Sequence, residues 1–266
     1  MNVRLVFKIL LRRCGADGVF DIGSCNGRES LMFRQILPQA AIVAFEANPI
    51  NHRKMVANPE LLAGKIEIFP YAITNTNGTA RFNVSDVDYD NPNDTDPQNA
   101  GSSSLLVYEG FKVKEAVAVE TRRIDEFVLS RYPKLNRICL WIDVEGVEFQ
   151  AVEGMIGIKD RVLAVHVETA RVPLRMGQKL YPELKVLMES FGFVPMGTNM
   201  SEDSIWGDVL FVNDKLVGKL GWRFRFCQWV GELSSWRGLD SIRSLLMKNC
   251  APLYRFLWRL YARLFT

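Results

Sequence analysis

The chain has 266 residues, 48% hydrophobic and 24% charged, a balance that suits one or two globular domains and excludes a disordered or collagen-like chain. Five scattered cysteines without a CxxC pair, together with two histidines, exclude a disulfide scaffold and a Cys/His zinc module. The net charge of +3 is uneven: residues 215–266 carry ten Lys/Arg and two acids, whereas residues 1–214 carry 23 and 28.

The opening MNVRLVFKILLRR lacks the unbroken apolar core and small-residue cleavage pattern of a signal peptide, so a short helix packed on the first strand is expected. Val19–Ile22 reads as a buried strand, followed by a glycine turn and a helix over Arg28–Leu37 that stops at Pro38. A second strand at Ala41–Glu46, a helix at Pro49–Asn58 and a third strand at Ile66–Ile73 complete a βαβαβ alternation. That order favours a parallel sheet with helices on both faces. Right-handed crossovers then gather the strand C-termini, and the ligand crevice, on one edge.

Asn75–Gly78 is a turn, and Thr79–Val84 a strand. Residues 85–104 hold five aspartates and no basic residue, the composition of an exposed loop. The spacing Asp86-x-Asp88-x-Asp90 fails as an EF-hand, because Asn91 and Pro97 stand where Gly and Glu are needed. Alternation resumes at Val113–Glu120, with a helix around Asp125–Arg131 and a strongly apolar strand at Arg137–Asp143. A helix from Val147, a strand at Val162–Glu168 and a helix at Pro182–Ser190 follow. Phe191–Pro195 and Asp208–Val212 form a closing antiparallel pair.

The stretch Asp21-Ile22-Gly23-Ser24-Cys25-Asn26-Gly27 carries the most chemistry. A dinucleotide fingerprint counted from Gly23 would need glycine where Cys25 and Arg28 stand. Asp21 at a strand end would repel a pyrophosphate, but it suits a ligand with a sulfonium or ammonium charge. S-Adenosylmethionine has both and no phosphate, and glycines let the backbone approach it closely. Glu46, nineteen residues after Gly27, ends the second strand, where an acid accepts ribose hydroxyls.

The ordered set DIGSCNG, FEANP, PYAI, SSSL and IDVEGVEFQAVEG resembles the FkbM-type family of S-adenosylmethionine-dependent methyltransferases, from about Val19 to Val212. Cys25 departs from it, standing where the family usually has Asn, and a thiol is the poorer hydrogen-bond partner. The resemblance implies a Rossmann-like class I methyltransferase fold, α/β with a mostly parallel seven-stranded sheet, and O-methylation of a hydroxyl. Carried over by position, Asp21, Gly23, Ser24 and Gly27 face the methionyl part, and Glu46 the ribose. Ala47 and Asn48 lie beside the adenosine, Ala72 and Ile73 flank the adenine, and Ser104 stands at the pocket rim.

Asp143 ends a strand on the same edge as Asp21 and Glu46, with Glu145 in the turn and Glu148 in the first turn of the next helix. Methyl transfer is an in-line displacement dominated by alignment, and a hydroxyl acceptor must also lose a proton to a base. Asp143 is placed nearest the methyl donor, with Glu145 as the alternative base. Glu148 fits a simpler role at the positive end of a helix. Glu168, two residues beyond His166 and on the same strand face, is a weak candidate with Asp143 for a divalent metal such as Mg²⁺. His166 is expected to be a hydrogen-bond-satisfied residue near the sheet end.

The acceptor is expected to be a hydroxyl-bearing small molecule, glycan or glycolipid. Nucleic acid is disfavoured, since no NPPY-type tetrapeptide is present. Residues 215–266 contain four of the six tryptophans, and Arg255, Arg259 and Arg263 recur at helical spacing beside a leucine-rich surface. This is the pattern of a helical extension that lies on an anionic membrane. The expected location is therefore cytoplasmic, peripheral at the inner membrane face. The alternative function is a non-catalytic nucleotide-binding module that docks at membranes.

Overall fold

The structure is a computed structural model and describes residues 2–85, 101–107 and 113–215. The expected tail helices and the Asp86–Asp90 spacing fall outside those residues.

The chain runs α1 (Val3–Cys14), β1 (Gly18–Ile22), α2 (Arg28–Ile36), β2 (Ala41–Phe45), α3 (Pro49–Ala57), α4 (Pro59–Ala63), β3 (Glu67–Phe69) and β4 (Tyr71–Ile73). It continues through β5 (Gly78–Ser85), β6 (Val113–Arg122), α5 (Ile124–Arg131), β7 (Ile138–Ile142), α6 (Glu148–Glu153) and a 3₁₀ turn at Ile156–Arg161. β8 (Val162–Ala170), α7 (Tyr181–Ser190), β9 (Phe193–Thr198) and β10 (Trp206–Asn213) complete the described part.

Seven strands form one sheet in the order β3-β2-β1-β7-β8-β10-β9. The first five are parallel, and β10 runs antiparallel to both β8 and β9. The chain winds outward from β1 through β2 to β3 and then returns to β7 on the other side of β1. That reversal opens a crevice at the C-terminal ends of β1 and β7. Both strands are buried along their whole length, hence their apolar sequences, broken in β1 only by the buried Asp21. One face packs Phe20, Phe45, Leu140 and Val165 against α5–α7, and the other packs Val19, Ile42, Trp141 and Leu210 against α1–α4. The Rossmann-like expectation is met.

Four expectations are corrected. Helix α1 packs chiefly over β8 and β10 rather than on the first strand, because its apolar stripe of Val3, Phe7, Leu10 and Leu11 covers the far half of the sheet. The third strand is two. Pro70 carries no N–H for a ladder, and the chain breaks there, β3 staying in the main sheet while β4 joins a separate sheet of order β4-β6-β5. Ala72 and Ile73 therefore belong to the small sheet, as do both strands of the middle segment. Finally, residues 103 and 104 are not an exposed loop: Ser103 and Ser104 are buried, and Ser104 exchanges backbone hydrogen bonds with Asn83 at 2.8 and 3.0 Å. Polar composition suggested solvent, but these serines serve as partners for buried backbone.

Candidate functional site

The turn after β1 is shaped by its glycines. Gly23 sits at φ +84°, and a Cβ there would lie 1.7 Å from the backbone oxygen of Asp143, so no side chain fits between the ends of β1 and β7. The backbone N–H groups of Gly23 and Ser24 both donate to the Phe45 carbonyl at 3.0 Å. Gly27, at φ +79°, presses on Leu61 of α4. Cys25 is left-handed too, at φ 54°, a conformation that a side chain disfavours.

Asp21 lies under this turn, buried on the face shared with Trp141. Its Oδ2 accepts from the hydroxyls of Ser24 at 2.6 Å and Ser30 at 2.5 Å, while its Oδ1 has no hydrogen-bond partner among the described residues. Burial raises its pKa to about 6 against the lowering effect of the two serines.

A cleft of about 500 Å³, its open mouth included, lies above the crevice. Gly23, Cys25, Glu46 and Ala47 form one wall, with Asp143 and Glu145 on another. Ala72 and Ile73 line it from the small sheet, beside Tyr71 and Phe82. The structure thus brings five of the expected cofactor residues, Gly23, Glu46, Ala47, Ala72 and Ile73, to one cleft together with Asp143 and Glu145. Asp21, Ser24, Gly27, Asn48 and Ser104 stand behind its walls. Asn48 caps α3, accepting from the Ile50 N–H at 2.9 Å, and its amide reaches Ser103 Oγ at 3.3 Å.

Glu46 is buried, and its two oxygens accept from the backbone N–H groups of Cys25 and Asn48, each at 2.7 Å. Burial raises its pKa to about 7 despite those bonds. Each oxygen retains a second lone pair with which to accept from a ligand hydroxyl.

The acidic segment begins where the Asp143 N–H extends the ladder to Ile22 at 2.9 Å. Glu145 then turns left-handed at φ 58°, and Gly146 follows at φ +110°. Ser104 Oγ donates to the Glu145 carbonyl at 2.6 Å, and the Glu145 carboxylate is ion-paired with Arg175. Glu148 accepts from the Gly146 N–H at 2.7 Å and is buried, with a pKa raised to about 7 by burial. It holds the turn and does not line the cleft. Carboxylate oxygens of Asp143, Glu145 and Glu168 lie within 4.8 Å of one another. The Asp143 carboxyl is pushed well above the usual range, first by burial and then by Glu168, Glu145, Glu148 and Asp208. The donor set suits a cation, although Arg175 already serves Glu145.

His166 is not hydrogen-bond satisfied. Its ring stacks on Trp141 at 3.5 Å under Phe7, neither ring nitrogen has a hydrogen-bond partner among the described residues, and burial lowers its pKa to about 3. Neutral and packed under α1, it supplies no ligand to the cleft.

Arg175, Asn51, Tyr71 and Phe82 escaped the sequence reading. Tyr71 stands within the PYAI motif, but nothing local marks Arg175, which lies in an irregular segment thirty residues from Glu145.

A family model described as the methyltransferase FkbM domain matches residues 21–195. The chain is 27% identical over 204 residues to the 2-O-methyltransferase NoeI of Sinorhizobium fredii, covering 74% of this chain and 80% of that protein. Among solved structures, it is similar to magnesium protoporphyrin IX methyltransferase from Synechocystis PCC 6803 with bound S-adenosylmethionine (9% identity, TM-score 0.44, covering 80% of this chain and 77% of that one). Precorrin-6y C5,15-methyltransferase from Geobacter metallireducens is also similar (10% identity, TM-score 0.41, covering 78% and 86%).

Proposed function

The chain belongs to the methyltransferase FkbM family and is an S-adenosylmethionine-dependent methyltransferase, and from that premise we propose that it methylates a hydroxyl of a sugar, glycolipid or natural-product acceptor. The cofactor supplies an electrophilic methyl group on a sulfonium. The donor set of the cleft fits it: carboxylates for a cation, apolar wall for a base, and a turn that a backbone can approach closely. The non-catalytic alternative has no support in this family membership.

The observation that carries the reading is the Asp143 carboxylate at the cleft wall, against the turn at Gly23. In the proposal, Glu46 and Ala47 hold the adenosine, Ala72 and Ile73 flank the adenine, and Gly23 admits the methionyl chain. Asp21, Ser24 and Gly27 fix the turn, while Asn48 and Ser104 brace the walls behind it. Asp143 takes the acceptor proton; burial among other acids makes it a stronger base than a solvated aspartate. Glu145, engaged by Arg175, orients the acceptor. The relative's 2-O-methyl transfer makes a glycoside the first acceptor to test. Incubation with methyl-labelled S-adenosylmethionine and a panel of neutral glycosides should yield an O-methyl ether. Transfer to amines or carboxylates alone would overturn the hydroxyl assignment.

The basic, tryptophan-rich residues 215–266 support a second element of the proposal, attachment to an anionic membrane at its cytoplasmic face. Among the described residues no helix is long and apolar enough to cross a membrane. Sedimentation with anionic vesicles at low salt should carry down the full chain but not a version ending at Asp214. Equal behaviour of the two would remove the membrane role.

A further inference from the structure

We propose that Asn51 is a further ligand-binding residue of the cleft, its carboxamide hydrogen-bonding a ribose hydroxyl of the cofactor. The inference rests on the methyltransferase reading above. Asn51 lies in the first turn of α3, is 2% exposed and lines the cleft beside Cys25 and Glu46. Among the described residues its amide nitrogen meets only the Cys25 sulfur, at 3.9 Å, and its carboxamide oxygen has no hydrogen-bond partner. A thiol is a weak partner in either direction. An amide buried in this way costs stability unless something outside the chain completes it.

The missing partner can be narrowed by chemistry. Turning the amide by half a rotation exchanges its oxygen and nitrogen, so the polar atom left over is an acceptor in one setting and a donor in the other. A hydroxyl satisfies both. The Glu46 carboxylate stands in the same corner, tied to it through the Cys25 N–H at 2.7 Å. Two hydroxyls on adjacent carbons, as in a ribose, give one partner to Glu46 and one to Asn51. The Ala72 and Phe82 side of the cleft is apolar.

Asn51→Leu keeps the side-chain size and removes both polar atoms. Calorimetric titration of full-length protein with S-adenosylhomocysteine should show affinity weakened about fivefold to tenfold, the worth of one neutral hydrogen bond. For one of the 2′-deoxy and 3′-deoxy analogues, wild type and variant should bind alike. A merely structural amide would lower the melting temperature of the free protein and weaken all three ligands equally, and that result overturns the inference. So does wild-type affinity in the variant. Should Asn51→Leu not fold, Asn51→Ser carries the same two expectations. Failure of the wild-type protein to bind S-adenosylhomocysteine would overturn the cofactor reading itself, an outcome distinct from indifference to the Asn51 substitution.

Discussion

The guanidinium of Arg175, 7% exposed, closes on the carboxylate of Glu145 from a segment thirty residues further along the chain. The pair joins the turn after β7 to the chain after β8. Arg175 also lies under Gly146, where an added Cβ would come within 2.9 Å of its Cδ.

Among the described residues, Asp143, Glu145 and Glu168 crowd together, and Arg175 pairs with Glu145. Arg175→Met should therefore destabilise the protein by about 1–3 kcal/mol, less than a fully buried pair because Glu145 is 22% exposed. Urea denaturation measures the loss. Adding Glu145→Gln to the same chain removes the stranded charge and should recover most of it. Additive losses in the double variant would show that the pair does not couple.

Glu46→Ala should weaken S-adenosylmethionine binding by about 1.5–3 kcal/mol, since the charged acceptor of a ribose hydroxyl is removed. Cys25→Asn should weaken it less, because the Cys25 backbone rather than its thiol holds Glu46. Equilibrium binding of the two variants compares them directly.

Asp143→Asn preserves size while removing the base. Turnover with the accepted glycoside should fall by about 100-fold or more, with cofactor affinity changed little. Rapid-quench and equilibrium measurements on the one variant separate the two effects.

Burial holds Glu46 and Glu148 at about 7 and Asp21 at about 6, above the ordinary carboxylate values. The folded state then binds protons more tightly than the unfolded chain. The stability associated with these groups is full below the unfolded pKa and declines as pH rises through about 7. The melting temperature of the free protein should therefore drop between pH 5 and pH 8. Cofactor affinity should move the opposite way up to about pH 7.5, since a cationic ligand favours the ionised carboxylates. Titrations in buffers of different ionisation enthalpy should register proton release on binding.

Metal removal has a definite expectation as well. With Arg175 engaging Glu145, EDTA should leave the transfer rate unchanged. A rate lost to EDTA and restored by Mg²⁺ would instead assign Asp143 and Glu168 to a metal.

Much of the architecture is legible from local sequence, for a physical reason. Strand and helix periods are short-range properties, and βαβ handedness forces parallel strand ends onto one edge. Glycines at residues 23 and 27 and acids at residues 46 and 143 could thus be assigned to a common edge before any contact was known. Other features depended on where distant chain segments meet. The break at Pro70 sent Ala72 and Ile73 into another sheet, yet back to the same cleft. Asp21 turned beneath its glycine turn because Ser24 and Ser30 offered it two hydroxyls in a dry site. Ser103 and Ser104 became buried braces, and Arg175 found Glu145 across thirty residues. No local period encodes such pairings. They arise when packing excludes water and each buried polar group must take whatever partner the fold brings within reach.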